Sequence, residues 1–202
     1  MIRSVYIMIG FLLLICTSGY HSKAKRNNYL QTVHSASSFQ TGDIILRESN
    51  GFLAAVFKSF SLKEKKYSHA GFILKEDAGY FVCHFIDGST SGYIKVKLDD
   101  FISTDECSSY AIYRPSYSAK QQQCINDCIN DPLNKQLQFD DRFELKSNKS
   151  LYCTEWIYKC LLKAGFVIPT TKVNSIEYIA PDNLYINNFT KIITYVEYSS
   201  EI

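Results

Sequence analysis

Apolar residues recur along this chain with two periods, one typical of strands and one typical of helices. Runs with strand-like spacing, bounded by glycine or charged turns, predict a series of strands. They are Gly42–Arg47, Tyr67–Leu74, Tyr80–Ile86, Tyr93–Leu98, Ser109–Arg114 and Lys191–Tyr198. Helical spacing predicts helices over Phe52 to Phe60, over Gln121 to Asp131, and from Cys153 to just before Gly165. Together these elements predict an α+β domain with a mainly antiparallel sheet and helices at both ends.

Two neighbouring strand segments predict an antiparallel hairpin, because the loop between them is short, charged and ends at Gly79. A four-residue loop, Lys75 to Ala78, sets His69 directly opposite His84. Cross-strand partners are close enough for their side chains to touch, whereas a slip of one residue would send the two imidazoles to opposite faces. The alternative is that both are half-exposed strand histidines without a shared role.

Cys153 falls in the first turn of its predicted helix, since apolar positions from Ile157 to Ala164 continue at helical spacing. Unpaired backbone N–H groups and the positive end of the helix dipole favour a thiolate there, and the thiolate is the nucleophilic form. We therefore expect Cys153 to be the most acidic thiol of the chain, with a pKa below the value of about 8.5 for a free cysteine. The alternative is an ordinary buried thiol that packs the helix against the sheet.

Several short motifs occur in a distinctive order along the chain. They are Gly42-Asp43-Ile44-Ile45, Tyr67-Ser68-His69-Ala70-Gly71-Phe72 and Tyr152-Cys153-Thr154-Glu155, with further matches at Phe139-Asp140-Asp141-Arg142-Phe143 and Ala180-Pro181-Asp182-Asn183-Leu184-Tyr185. This ordered set resembles the circularly permuted papain-fold hydrolases, which are related to NlpC-type cell-wall peptidases, in the branch called YiiX-like. In that branch the histidine strand precedes the cysteine helix. The resemblance covers nearly all of the chain after residue 38.

The resemblance implies a catalytic triad in this sequence. Cys153 matches the nucleophile, His69 the base, and His84 the third polar position, which is often an acid in related sequences. A base serves a nucleophile well when a third group orients it, and His84 would do so for His69. The backbone N–H of Cys153 is the expected first oxyanion donor. By resemblance, a tyrosine hydroxyl from the C-terminal segment, Tyr185 or Tyr195, would be the second.

The implied activity is that of a cysteine hydrolase that cleaves an amide of a peptide or cell-wall fragment, or an ester, through an acyl-thioester. The resemblance implies neither a metal nor an organic cofactor. One alternative is acyl-chain chemistry on lipids, because permuted relatives include acyltransferases. Another is an inactive binding module of the cell envelope that kept the fold.

The N-terminus predicts an export signal over residues 1–19. A short basic start precedes an apolar run from Val5 to Ile15, which is too short for a comfortable membrane span. Cys16 follows directly and raises the alternative of a lipoprotein leader, with membrane attachment through a lipid on that cysteine. The polar residues 20–38 predict a flexible lead-in, and residues 39–202 the hydrolase domain. We therefore expect the protein in the periplasm or cell envelope.

Composition limits the remaining possibilities. A chain of 202 residues with 46% apolar residues suits one folded domain with a sizeable core. A net charge of +2 and the lack of a recognition motif give no case for nucleic-acid binding.

Of the seven cysteines, Cys124 and Cys128 are four residues apart in one predicted helix. Their shared face predicts contacts in the core rather than a bridge. A zinc site is not predicted, because no second cysteine pair or histidine pair has the spacing of zinc ligands.

Overall fold

The computed structural model describes residues 39–88, 91–143, 145 and 149–198, with positions 52 and 53 described in backbone only. The predicted leader with Cys16 and the predicted lead-in 20–38 lie outside these residues. Within them, no helix is both long enough and apolar enough to cross a membrane.

Six strands of the described residues form one sheet in the order β10-β5-β1-β2-β3-β4, with every neighbouring pair antiparallel. These strands are β1 (Ile44–Ser49), β2 (His69–Glu76), β3 (Gly79–Phe85), β4 (Tyr93–Lys97), β5 (Cys107–Pro115) and β10 (Thr190–Glu197). Two small pairs lie apart from this sheet: β6 (Gln138–Phe139) with β7 (Ser150–Leu151), and β8 (Thr171–Val173) with β9 (Ile176–Tyr178). The helices are α1 (Phe52–Ser59), α2 (Leu98–Phe101), α3 (Ala119–Asn130) and α4 (Cys153–Lys163). The α+β class and the strands and helices predicted from the hydrophobic pattern are confirmed.

Each face of the central sheet is covered by a different helix. On one face, Trp156 of α4 packs edge-on against Phe72 of β2 at 5.3 Å between ring centroids, within the main hydrophobic core. Successive strand residues point to opposite faces, so His69 points away from the face that carries Ala70 and Phe72. On that second face, Phe101 of α2 stacks on the His69 ring with centroids 5.7 Å apart.

The predicted hairpin forms, but its loop has two residues rather than four. Glu76 pairs with Gly79, so Asp77 and Ala78 alone make the turn. The charged residues that sequence reasoning assigned to the loop instead extend the strands. His69 therefore does not face His84 directly, and this part of the prediction is wrong. The observed register differs from the predicted one by two residues. Because alternate residues of a strand point to the same face, the two histidines still lie on one face of the sheet.

Local sequence signals fix where the two longer helices begin and end. Ser118 and Gln121 form a reciprocal capping box before α3. Helix α4 begins after Tyr152, which is extended, and is followed by Gly165 with φ of +87°. In the Gly-Asp motif before β1, Asp43 is buried and accepts two hydrogen bonds of 2.7 Å from Arg114 of β5. That motif therefore joins two strands of the sheet.

Candidate active site

The first turn of α4 is held in place by the segment after β9. The hydroxyl of Tyr152 accepts a hydrogen bond of 2.8 Å from the Ile179 N–H, and the Thr154 hydroxyl donates one of 2.6 Å to the Ile179 carbonyl. The residues on both sides of Cys153 are thus bonded to one and the same residue. This arrangement fixes the Cys153 backbone, and all the groups involved are buried.

The Cys153 side chain reaches from α4 to the end of β2. Its sulfur is within hydrogen-bonding reach of the backbone N–H groups of Ala70, Thr154 and Cys153 itself. The pairing of β2 with β3 ends at Phe72 and Cys83, so on that side Ala70 lies beyond the last pair, while on the other side it pairs with Leu46 of β1. Its N–H is thereby left for the sulfur, and Ala70 is the immediate neighbour of His69.

Cys153 is not an acidic thiol in this structure. Burial raises its pKa to about 11, although the three N–H groups and the charge of Arg47 act in the opposite direction. The residue is only 9% exposed. The expectation that Cys153 is the most acidic thiol is therefore wrong, because loss of hydration outweighs the position at a helix N-terminus.

The two predicted histidines are in direct contact. His69 Nε2 and His84 Nδ1 are 2.7 Å apart, and the rings are nearly perpendicular at 83°. One proton is shared between these two nitrogens. If His69 Nε2 carries it, His69 Nδ1 is left as a free acceptor, which is the form that a general base needs. The third position of the predicted triad thus contacts the second, as the orienting role requires.

Gly71 makes room for this contact. Extending the β2–β3 register by one pair beyond Phe72 sets Gly71 level with His84. A Cβ atom at Gly71 would lie 2.5 Å from Val82 Cγ1 and 3.2 Å from His84 Cβ, which is too close for any larger residue without a shift of β3. The Gly in the His-Ala-Gly motif is therefore explained by packing against the strand that carries His84.

Arg47 is a residue of this site that sequence reasoning missed. It is the direct cross-strand partner of His69 in β1 and is only 6% exposed. Its Nη1 donates to the Phe101 carbonyl at 2.6 Å, its guanidinium lies 4.3 Å from the centroid of the Phe101 ring, and its Nη2 pairs with Glu106 at 3.2 Å. One signal in the sequence could have found it. Arg47 follows Ile45 by two positions in an apolar strand, so the two side chains point to the same face and Arg47 is expected to be buried.

Burial and the Arg47 charge keep both imidazoles neutral. Burial and, to a smaller extent, the charge of Arg47 together lower the pKa of His84 to about 3. The pKa of His69 is also well below its ordinary value, first through burial and then through His84 and Arg47. The thiol pKa is raised and both imidazole pKa values are lowered, so Cys153, His69 and His84 are all neutral at rest.

The two tyrosines that the resemblance suggested as oxyanion donors are engaged elsewhere. The Tyr185 hydroxyl lies 3.3 Å from a carboxylate oxygen of Glu64, and the Tyr195 hydroxyl donates to Glu197 at 2.8 Å. Tyr195 is half exposed. Among the described residues, neither hydroxyl has a hydrogen bond to Cys153. The donors that do reach the sulfur are backbone N–H groups.

The described residues contain no group of three or more histidine, cysteine, aspartate or glutamate side chains that could hold a metal ion. His84 Nε2 is buried and has no hydrogen-bond partner among them. The neighbouring ring of Phe101 has its centroid 5.1 Å from that of His84 and meets it edge-on.

Comparison with known proteins assigns the family. Residues 38–185 match the model of the permuted papain-like amidase enzymes, YaeF/YiiX, C92 family. The chain belongs to this family. A permuted papain-like amidase uses a cysteine for hydrolysis, so family membership makes the chain a cysteine hydrolase of the amidase type.

A solved structure has the same fold. It is the metalloprotein yiiX from Escherichia coli O157:H7, with a TM-score of 0.64 and 18% sequence identity over 79% of this chain and 98% of that one. Together with the family match, this similarity confirms the permuted papain-like fold. A search of the curated proteins found no match.

Proposed function

We propose that the chain cleaves an amide bond through an acyl-thioester, with Cys153 as nucleophile, His69 as general base and His84 as the group that orients His69. The observation that carries this proposal is the 2.7 Å contact between the two imidazoles, next to the strand residue whose N–H reaches the Cys153 sulfur. These contacts support a site in which a nucleophile, a base and an orienting group act together.

In the first half-reaction, His69 Nδ1 takes the thiol proton as Cys153 Sγ attacks the carbonyl carbon. The carbonyl oxygen becomes an oxyanion, and backbone N–H groups at the start of α4, that of Cys153 first, would stabilise it. When the intermediate collapses, the C–N bond breaks and His69 returns its proton to the leaving amine. The products are the free amine and an acyl-thioester on Cys153.

In the second half-reaction, His69 takes a proton from water, whose oxygen attacks the thioester carbonyl. The C–S bond breaks, the carboxylic acid leaves, and the proton returns to Sγ. His84 accepts the His69 Nε2–H hydrogen bond throughout, which keeps Nδ1 available. Arg47 favours negative charge on the sulfur and disfavours a long-lived imidazolium, so the charged state is restricted to the reacting complex.

We propose peptide or cell-wall peptide amides as the substrates. The test is a panel of muropeptides, unmodified peptides and acyl-lipids, assayed with the wild type, Cys153→Ala and His69→Gln. Amide cleavage by the wild type that both variants lose would support the proposal. Release of fatty acid without any amide cleavage would favour lipid chemistry, and the absence of turnover on every substrate would favour a binding module.

We also propose export to the cell envelope, because a basic start and an apolar run begin the chain. N-terminal sequencing of the protein from fractionated cells should give a mature form that begins near residue 16 to 20. Full-length protein in the cytoplasmic fraction would contradict this part of the proposal, and a lipid-modified Cys16 would identify a membrane anchor.

A further inference from the structure

The Ala180-Pro181-Asp182-Asn183-Leu184-Tyr185 motif takes no part in the proposed reaction, yet it contains a buried carboxylate. Asp182 lies in a short 3₁₀ helix (Pro181–Leu184) between β9 and β10 and is only 3% exposed. Its Oδ2 accepts hydrogen bonds from the backbone N–H groups of Lys63, at 2.8 Å, and of Glu64, at 3.4 Å. Asp182 therefore binds the backbone of the loop between α1 and β2.

Two tyrosines on either side of Asp182 bind the same loop. The Tyr178 hydroxyl donates to the Phe60 carbonyl at 2.9 Å, and the Tyr185 hydroxyl lies 3.4 Å from the Glu64 carbonyl oxygen. Both tyrosines are buried. Three side chains of one segment, residues 178–185, thus contact the backbone of this loop.

The same segment contacts the first turn of α4. The backbone of Ile179 bonds to the side chains of Tyr152 and Thr154, the residues on both sides of Cys153. One segment therefore connects the loop that leads into β2 with the helix turn that carries the proposed nucleophile.

The position of His69 depends on that loop. His69 is the first residue of β2, and only residues 65–68 separate it from Glu64. It pairs with Arg47 of β1, but the pairing of β2 with β3 ends at Phe72. His69 is therefore supported by one neighbouring strand and by the chain that precedes it.

We propose that Asp182, together with Tyr178, is a positioning residue that keeps His69 in place relative to Cys153. It does so by fixing the loop before β2 to the segment that also fixes the first turn of α4. This inference rests on the proposed roles of Cys153 and His69. Misplacement of a catalytic group by about 1 Å can lower a rate about 10²-fold, so loss of the loop contact should slow the chemical step.

The first test compares Asp182→Ala with Asp182→Asn. Alanine removes the acceptor, so kcat for amide cleavage should fall about 10- to 100-fold with little change in KM. Asparagine keeps one acceptor oxygen, and Asp182 Oδ1 has no hydrogen-bond partner among the described residues, so Asp182→Asn should keep kcat within about three-fold of the wild type. Equal losses in the two variants would contradict positioning through these hydrogen bonds.

Asn134→Ala is the matched control for a loss of stability. Asn134 is also buried, and its Nδ2 donates to the Cys128 carbonyl at 2.8 Å, so this variant likewise loses a bond from a side chain to the backbone. Asn134→Ala and Asp182→Ala should both lower Tm, but only Asp182→Ala should lower kcat. An equal fall of kcat in Asn134→Ala would reduce the effect to stability and overturn the proposal.

A double-mutant cycle with His69→Gln tests whether Asp182 acts through His69. The readout is the rate at which p-nitrophenyl acetate acetylates Cys153, followed by mass spectrometry within the first turnover. Asp182→Ala should slow this step about 10- to 100-fold when His69 is present, and less than about three-fold in His69→Gln, where no base remains to be positioned. Equal slowing in both backgrounds would overturn this inference and leave the proposed function intact. Acetylation of His69→Gln at the wild-type rate would instead contradict the proposed function.

Tyr178→Phe keeps the cycle decisive if Asp182→Ala does not fold. It removes only the hydrogen bond to the Phe60 carbonyl. Acetylation of Cys153 should slow to a smaller extent, and again only when His69 is present. An unchanged rate, or a slowing that does not depend on His69, would contradict the proposal.

Discussion

The two ends of α4 place their cysteines in different electrostatic surroundings. At the first residue, Cys153 has the helix dipole, three backbone N–H groups and a nearby guanidinium, yet its pKa is raised to about 11. Near the other end, the Cys160 pKa is also raised, while the pKa of Cys128 in α3 is lowered, first by Cys160 and then by the charge of Lys163. Its position at a helix N-terminus alone would predict a lowered pKa for Cys153.

The difference shows that burial and direct partners decide thiol acidity here. A helix terminus contributes about 0.3–1 kcal/mol, up to about 2 when it is partly buried. Complete loss of hydration can shift a pKa by about 3–5 units, at about 1.4 kcal/mol per unit. At Cys153 burial exceeds the sum of the favourable groups, whereas at Cys128 a thiol donor and Lys163 exceed burial. An acidic cysteine and a nucleophilic cysteine can therefore be different residues.

The largest expected effect is a loss of activity that distinguishes Cys153 from Cys160, the cysteines near the two ends of α4. Cys153→Ala should lower kcat/KM for amide cleavage by at least about 10⁴-fold, because it removes the nucleophile. Cys160→Ala, about two turns along the same helix, is the matched control and should keep activity within a few-fold of the wild type. Steady-state kinetics on the best substrate of the panel measures both. Equal loss in the two variants would mean that the effect comes from the helix rather than from the thiol.

A smaller effect distinguishes the two histidines. His69→Gln should lower kcat by about 10²- to 10⁴-fold, the usual contribution of a general base. His84→Gln should cost less, since an amide oxygen can still accept the His69 Nε2–H hydrogen bond, and His84→Leu should cost more than His84→Gln. Activity in His84→Leu equal to that of the wild type would remove His84 from the site.

The rates at which the individual thiols are alkylated test the difference between Cys153 and the cysteines of α3 directly. At pH 6, iodoacetamide should modify Cys124 and Cys128 before Cys153 in the folded protein, because the Cys153 thiol is buried and its pKa is raised. Mass spectrometry of peptides taken over time gives the order. Cys153 as the first site modified at this pH would show that the resting enzyme holds it as a thiolate.

The smallest expected effect concerns Arg47. Since burial and Arg47 lower the His69 pKa, the base stays neutral into acidic solution, and kcat/KM should fall only below pH 6.5. Arg47→Met removes the cation and should raise the His69 pKa, so the acid limb of the profile moves to higher pH. Glu106→Gln removes the carboxylate that pairs with Arg47 but keeps the cation, and it should not move the limb upward. If the acid limb of the kcat/KM profile lies at the same pH in Arg47→Met as in the wild type, Arg47 does not lower the His69 pKa.

The hydrophobic pattern was enough to predict the elements, and the features it missed depend on tertiary contacts. Gly165 predicted the end of α4 because this signal is local, and the Ser118–Gln121 capping box that begins α3 is a local signal of the same kind. The hairpin loop was predicted two residues too long. Lys75 and Glu76 are polar but pair with β3 as strand residues, and the alternation of apolar and polar positions does not reveal such pairing. The contact between His69 and His84 was predicted because side-chain direction depends only on parity along the strands.

Other parts of the site could not be predicted from the sequence. Burial of Cys153 depends on where the end of β2 lies relative to α4, and the contact of Arg47 with Phe101 joins residues that are distant in the sequence. The effect of Cys160 on the Cys128 pKa likewise requires α3 to pack on α4. The Cys124–Cys128 spacing predicted a shared face but not the partner from the other helix.

The most direct test of the central claim is to trap the acyl group. The protein is mixed with an activated ester such as p-nitrophenyl acetate, quenched in acid within the first turnover, digested and mapped by mass spectrometry. The account predicts an acetyl thioester on Cys153 that hydroxylamine removes, that forms far more slowly in His69→Gln, and that forms normally in Cys160→Ala. An acyl group on any other residue, with Cys153 unmodified during turnover, would contradict the assignment of Cys153 as the nucleophile.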